Sequence, residues 1–255
     1  MVHRFAYLDS PVPLAFAHRG GSSGLENSVA AFQSVVDLGF RYLELDVRAT
    51  ADGVLVVFHD EMLDRVTDRV GRVAALPYAE VARARVAGSE PIPLLEDVLG
   101  SFPDVRVNVD VKELSAVRPL VEVIRRTNAV DRVCVAAFSD RRVRMVGAAL
   151  GPRLCTALGP RGAAALRFAS YVGWPRTGFT GWRPCAQVPV RAGALRVVDR
   201  RFVDAAHERG VQVHVWTVDE PGAMHALLDL GVDGIMTDRP EALRAVLVSR
   251  GRWHG

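Results

Sequence analysis

The chain has 255 residues, of which 49% are apolar, enough for a substantial core and too many for a disordered protein. Its 32 basic and 29 acidic residues leave a formal charge of +3 with no block of like sign, so the electrostatic footprint of a nucleic-acid binder is missing. No apolar run approaches the roughly 18 residues that span a bilayer, and the opening MVHRFAYLDSPVPLAF lacks the features of a secretory signal, so a cytoplasmic protein is expected.

Strand-like and helix-like segments alternate along the chain. Leu14–His18 is a short apolar run. Asn27–Leu38 carries Val29, Phe32, Val35 and Val36 at helical spacing, with Asn27 and Ser28 as capping residues and Gly39 closing the helix. Tyr42–Val47 reads as a strand, as does Val54–Phe58 after an Asp52-Gly53 turn. A short helix is expected over Pro93–Leu99, a strand over Val105–Val111 and a helix over 115–127. Val133–Phe138 (strand), 140–150 (helix), Leu154–Leu158 (strand) and 161–170 (helix) follow. A Gly/Pro/Trp-rich loop comes next, then a short strand over Gln187–Val190 and a helix over Phe202–Glu208 ending at Gly210. Val211–Val218, Pro221–Leu230, Gly234–Thr237 and Pro240–Ser249 complete the alternation. About eight β/α units in one uninterrupted chain predict a single-domain (β/α)8 TIM barrel over residues 1–255. An open doubly wound sheet is the competitor, but it would spread the strand-end residues apart, and no dinucleotide-type glycine loop is present.

Four stretches at strand ends carry the chemistry: Ala17-His18-Arg19-Gly20-Gly21, Glu44-Leu45-Asp46, Phe58-His59-Asp60 and Asn108-Val109-Asp110-Val111-Lys112. In a barrel these ends share one mouth. Glu44 and Asp46 are two apart on one strand, as are Asp110 and Lys112, so each pair points to one face. Three carboxylates without a sulfur ligand suit one hard divalent cation, Mg²⁺ or Ca²⁺. Arg19 is suited to a bidentate grip on phosphate, with Lys112 adding charge. Lys112 is the only lysine in the chain, in keeping with a place where a compact ammonium serves and a planar guanidinium does not. His18 and His59 are candidates for general base and general acid. Cys134, Cys155 and Cys185 are an odd count without metal-ligand spacing and read as buried thiols of a reducing compartment.

These motifs resemble the glycerophosphodiester phosphodiesterase family, a branch of the phosphatidylinositol-phospholipase-C-like barrels. The resemblance is dense over HRGG, LENSVAAFQ, YLELDVRATADGVLVVFHDEMLDRVTD, PIPLLEDVL and NVDVK, and returns at AHERGVQVHVWTVDEP and GVDGIMTDRPEAL. It implies that His18 and His59 are the acid/base pair, Glu44 and Asp46 metal ligands, and Arg19 and Lys112 phosphate-binding residues. Trp216 matches an aromatic near the site. Asp110 stands where the family has a glutamate, one methylene longer, which leaves direct or water-mediated coordination open. The implied reaction cleaves a small glycerophosphodiester to sn-glycerol 3-phosphate and an alcohol, with the glycerol 2-hydroxyl as internal nucleophile and a cyclic phosphate between.

Other readings stay open at this level. A lysophospholipid or sphingomyelin-type phosphodiesterase would use the same barrel, with Trp174, Phe179 and Trp182 offering an apolar groove. A barrel that binds phosphate without turnover is a second alternative. Gly20-Gly21-Ser22-Ser23-Gly24 also fits a serine-hydrolase elbow, although the following helix starts too late for one. Head-group preference and oligomeric state are not legible.

Overall fold

A computed structural model of the protein describes residues 5–21, 24–172 and 183–254. Eight parallel strands form a barrel: β1 (Leu14–His18), β2 (Tyr42–Ala49), β3 (Arg106–Val111), β4 (Val133–Ala136), β5 (Cys155–Thr156), β6 (Cys185–Pro189), β7 (Gln212–Trp216) and β8 (Gly234–Thr237). The helices that follow them are α1 (Val29–Asp37), α2 (Leu95–Ser101), α3 (Val117–Arg126), α4 (Asp140–Leu150), α5 (Pro160–Val172), α6 (Arg200–His207), α7 (Pro221–Leu230) and α8 (Pro240–Ser249). The strands lie in the order β5-β4-β3-β2-β1-β8-β7-β6. The remaining seam, between β5 and β6, closes through a single parallel bridge, Ala157 to Cys185, where Leu158 N donates to Cys185 O at 2.8 Å. This is a nearly closed single-domain TIM barrel, as expected. Among the described residues, no helix is long and apolar enough to cross a membrane.

Strand alternation sorts side chains into two cores. Leu43, Leu45 and Val47 of β2, Val107, Val109 and Val111 of β3, and Val213 and Val215 of β7 face the helices in one continuous apolar layer. Leu14, Phe16, Tyr42, Cys134, Cys155, Cys185 and Met236 fill the barrel floor, closed from below by Phe5, Tyr7 and Leu8. Because β2 is buried on both faces, its inward Glu44, Asp46 and Arg48 are buried polar groups.

Several boundaries shift by a few residues. The strand expected at Val54–Phe58 is Leu55–Val57, and it pairs antiparallel with the far end of β2, Val47 opposite Val57. A tight Asp52-Gly53 turn can only return the chain antiparallel, so this strand lies off the barrel. With Phe58, Leu63, Val73, Val81, Val86 and Ile92 it builds a small apolar cluster of its own. That cluster fixes where His59 emerges at the mouth. The helix at 161–170 is longer, Pro160–Val172, and the strand at 187–190 begins two residues earlier, at Cys185. Trp174, Phe179, Trp182 and the elbow serine Ser22 lie outside the described residues.

Candidate active site

His18 ends β1, and the chain then turns sharply. Arg19, Gly20 and Gly21 have φ of 51°, 85° and 91°. A Cβ on Gly20 would stand 2.7 Å from Ala31 Cβ, so glycine is what lets α1 close onto the strand end. The turn is pinned by Arg19 N donating to Glu44 O at 2.9 Å and Asn27 N donating to Arg19 O at 2.8 Å. Ser28 Oγ caps α1 by accepting from Ala31 N at 3.1 Å.

Register brings the remaining groups alongside. His18 pairs with Glu44, Glu44 with Asn108, and Asp46 with Asp110. Asp46 is the electrostatic centre. Lys112 Nζ is 2.8 Å from its Oδ1, and Arg19 Nε is 3.0 Å from its Oδ2. Asn27 Nδ2 donates to the same Oδ2 at 2.9 Å. Burial raises the Asp46 pKa, but Lys112 and Arg19 outweigh it and the carboxyl is held below its ordinary range. Lys112 also reaches Asp110 Oδ2 at 2.7 Å. Burial lowers the Lys112 pKa, yet the two carboxylates reverse this and raise it.

The other two carboxylates are less well matched. Glu44 Oε2 and Asp110 Oδ1 are buried without a hydrogen-bond partner. Burial, then repulsion from Asp46, pushes Glu44 up to about 7; burial also raises Asp110, against the pull of Lys112. The three acids are neighbours but do not close into a ligand cage, and the Lys112 ammonium is wedged between two of them. Among the described residues, the only set of three or more metal-ligating side chains with donor atoms within 4.8 Å of one another is Cys134, Cys155 and Cys185.

Each histidine is anchored by a carboxylate on Nδ1. His18 Nδ1 donates to Asp238 Oδ1 at 2.7 Å, and its Nε2 lies 3.8 Å from Glu44 Oε2. Burial lowers the His18 pKa, but Glu44 and Asp238 outweigh it and the net direction is up. His59 Nδ1 donates to Asp60 Oδ1 at 2.5 Å, and here burial wins and the pKa falls. Asp60 pairs with Arg65, Arg65 with Glu26 at 2.7 Å, and Glu26 with Arg19 at 3.3 Å, so a chain of charges runs round the rim from one imidazole to the guanidinium. Trp216 stands edge-on to Phe138 with centroids 5.6 Å apart, and Lys112 Nζ lies 5.9 Å from the Phe138 ring centre.

All eight residues singled out from the sequence thus sit at one end of the barrel. The sequence reading missed the residues that hold them: Asn27, Asp238, Arg65 and the exposed Phe138. Asp238 was findable as an acid just beyond the last strand, whereas Asn27 reaches Asp46 across 19 residues and Arg65 links Asp60, five residues away, to Glu26 across 39.

Residues 18–242 match the Glycerophosphoryl diester phosphodiesterase family. A Mycobacterium tuberculosis protein named a probable glycerophosphodiester phosphodiesterase 2 is 44% identical over 95% of this chain and 93% of its own length. A crystal structure from Silicibacter pomeroyi shares the fold, with a TM-score of 0.80 at 22% identity over 98% of this chain and 100% of that one. An Oleispira antarctica phosphodiesterase, solved in complex with the product sn-glycerol-3-phosphate, has a TM-score of 0.75 at 22% identity, covering 93% and 97% of the two chains.

Proposed function

The chain belongs to the glycerophosphoryl diester phosphodiesterase family, and on that premise we propose that residues 1–255 form one enzyme domain that hydrolyses glycerophosphodiesters to sn-glycerol 3-phosphate and an alcohol. The observation that carries the reading is the mouth itself. Two carboxylate-anchored imidazoles, a guanidinium and the only lysine surround three buried acids at the C-terminal ends of β1, β2 and β3.

The donor set fits a hard divalent cation. Glu44 Oε2 and Asp110 Oδ1 are orphaned buried oxygens, and burial followed by repulsion from Asp46 drives Glu44 toward neutrality, a penalty that a cation between the carboxylates would relieve. Glu44, Asp46 and Asp110 would hold Mg²⁺ or Ca²⁺. Bound there, the cation supplies Lewis-acid stabilisation of charge on a phosphate oxygen. Lys112, now spanning Asp46 and Asp110, and Arg19 would then serve the phosphate.

Proton transfer falls to the histidines. Asp60 and Asp238 hold each Nδ1–H, which leaves each Nε2 for substrate. The downward shift of His59 suits it to take the proton of the glycerol 2-hydroxyl as that oxygen attacks phosphorus. The upward shift of His18 suits it to donate a proton to the departing alcohol. Water then opens the cyclic phosphate with the two roles exchanged. The Trp216–Phe138 pair walls the mouth on the side of Lys112 and is the surface offered to the alcohol.

The test is glycerol 3-phosphate release from glycerophosphocholine and glycerophosphoethanolamine, with EDTA, Mg²⁺ or Ca²⁺ add-back, and His18→Ala as control. Metal-dependent release lost in the variant supports the reading. A folded protein that acts only on a lysophospholipid would shift the substrate class, and one that acts on neither would overturn the assignment.

A further inference from the structure

The barrel floor holds a second cluster, far along the strands from the mouth. Cys134 is the second residue of β4, while Cys155 and Cys185 are the first residues of β5 and β6. All three are free and fully buried. Cys134 pairs in register with Cys155, and Cys185 faces them across the seam that a single bridge closes. Their three Sγ atoms lie within 4.8 Å of one another, with Cys134 and Cys185 at 3.9 Å. Tetrahedral zinc with Zn–S of about 2.3 Å sets two sulfurs about 3.8 Å apart.

Two further buried groups, His214 Nδ1 and the Tyr7 hydroxyl, have no hydrogen-bond partner. His214, on β7, donates from Nε2 to Gln212 Oε1 at 3.0 Å, which fixes the proton there and leaves a lone pair on Nδ1. That Nδ1 is buried and has no hydrogen-bond partner. His214 is two residues along β7 from Gln212, the register partner of Cys185, and lies outside the set of three close thiols. The Tyr7 hydroxyl, in the same floor cluster, is also buried without a partner. A thiol is a weak acceptor for it, whereas a metal-bound thiolate is a strong one.

We propose that Cys134, Cys155 and Cys185 bind one zinc-class cation in the barrel floor through their three thiolates. The site is structural and separate from the mouth. Each thiol releases its proton to solvent as it binds. The ion fastens β4, β5 and β6 together where backbone pairing is thinnest. A set of three thiolates is soft, so it selects zinc over the hard cation suited to the three carboxylates. With no exposed ligand, the ion enters as the barrel folds.

The experiment is elemental analysis of the full chain purified from zinc-supplemented medium and dialysed against EDTA. About one zinc per chain is expected in the unaltered protein and in Glu44→Gln, and less than about a tenth of that in Cys134→Ala/Cys185→Ala. Should the double variant not fold, the unaltered protein is refolded with Co²⁺, and a thiolate-to-cobalt charge-transfer band is expected. Zinc at background with no such band means packed thiols only and overturns the proposal. Zinc that survives in the cysteine variant but is lost in Glu44→Gln belongs to the mouth and overturns it equally.

Discussion

Asn27 offers the sharpest test of how the mouth is held. Its side chain donates to Asp46 Oδ2 at 2.9 Å and accepts from Asp46 N at 3.3 Å, and its backbone sits at φ 61°. Both partners are buried. Asn27→Ala removes a hydrogen bond to a charged group and leaves a buried N–H without its acceptor, together about 2 to 3 kcal/mol. It also puts an ordinary L-residue where asparagine is tolerated, adding about 1 kcal/mol. The sum, about 3 to 4 kcal/mol, is a large part of a typical folding stability of about 5 to 15 kcal/mol. Asn27→Gly loses the same hydrogen bonds but not the backbone fit, so it is expected to recover about 1 kcal/mol of the loss. Urea unfolding of the three proteins measures both quantities. Phosphodiesterase turnover is expected to fall by about tenfold or more in both variants, because Asp46 loses its orientation. The reasoning fails if Asn27→Ala unfolds within about 0.5 kcal/mol of the unaltered protein, or if the glycine variant is the weaker of the two.

Replacing either His18 or His59 by alanine should lower kcat by about a hundredfold or more while the protein stays folded, read by paired kinetics and circular dichroism. Gly20→Ala, whose Cβ would meet Ala31 Cβ at 2.7 Å on a backbone at φ 85°, should destabilise the fold by about 2 kcal/mol or more in denaturant titration. His207 has its pKa raised by the hydrogen bond to Asp233, so it binds a proton more tightly folded than unfolded. That stabilisation is complete below its ordinary value of 6.5 and disappears as pH rises through the folded value. The stability gap between the unaltered protein and His207→Phe should therefore be widest near pH 5.5 and narrow by about pH 8.5, measured by urea midpoints. Chelation should abolish turnover while leaving the barrel folded, since Lys112 and Arg19 already neutralise Asp46 without a cation.

Much of this protein is legible in the bare chain. The alternation of β and α segments, with Pro221–Leu230, Gly234–Thr237 and Pro240–Ser249 matched to the residue, follows from local periodicity and from Gly and Pro at element ends. His18, Glu44, Asp46, His59, Asp110 and Lys112 were findable because side chains two apart on a strand share a face and strand ends share a mouth. What the chain alone could not show is anything that depends on which strand lies beside which. Lys112 bridges Asp46 and Asp110 because β2 and β3 pair in that register, not because of any local motif. Leu55–Val57 leaves the barrel because its turn returns it antiparallel to β2. Cys134, Cys155 and Cys185 show no metal-ligand spacing in sequence, yet they meet within 4.8 Å because a closed barrel places the start of each strand at one floor. Periodicity is a property of neighbours along the chain, whereas a site is a property of neighbours across the sheet, and only closure of the barrel decides the second.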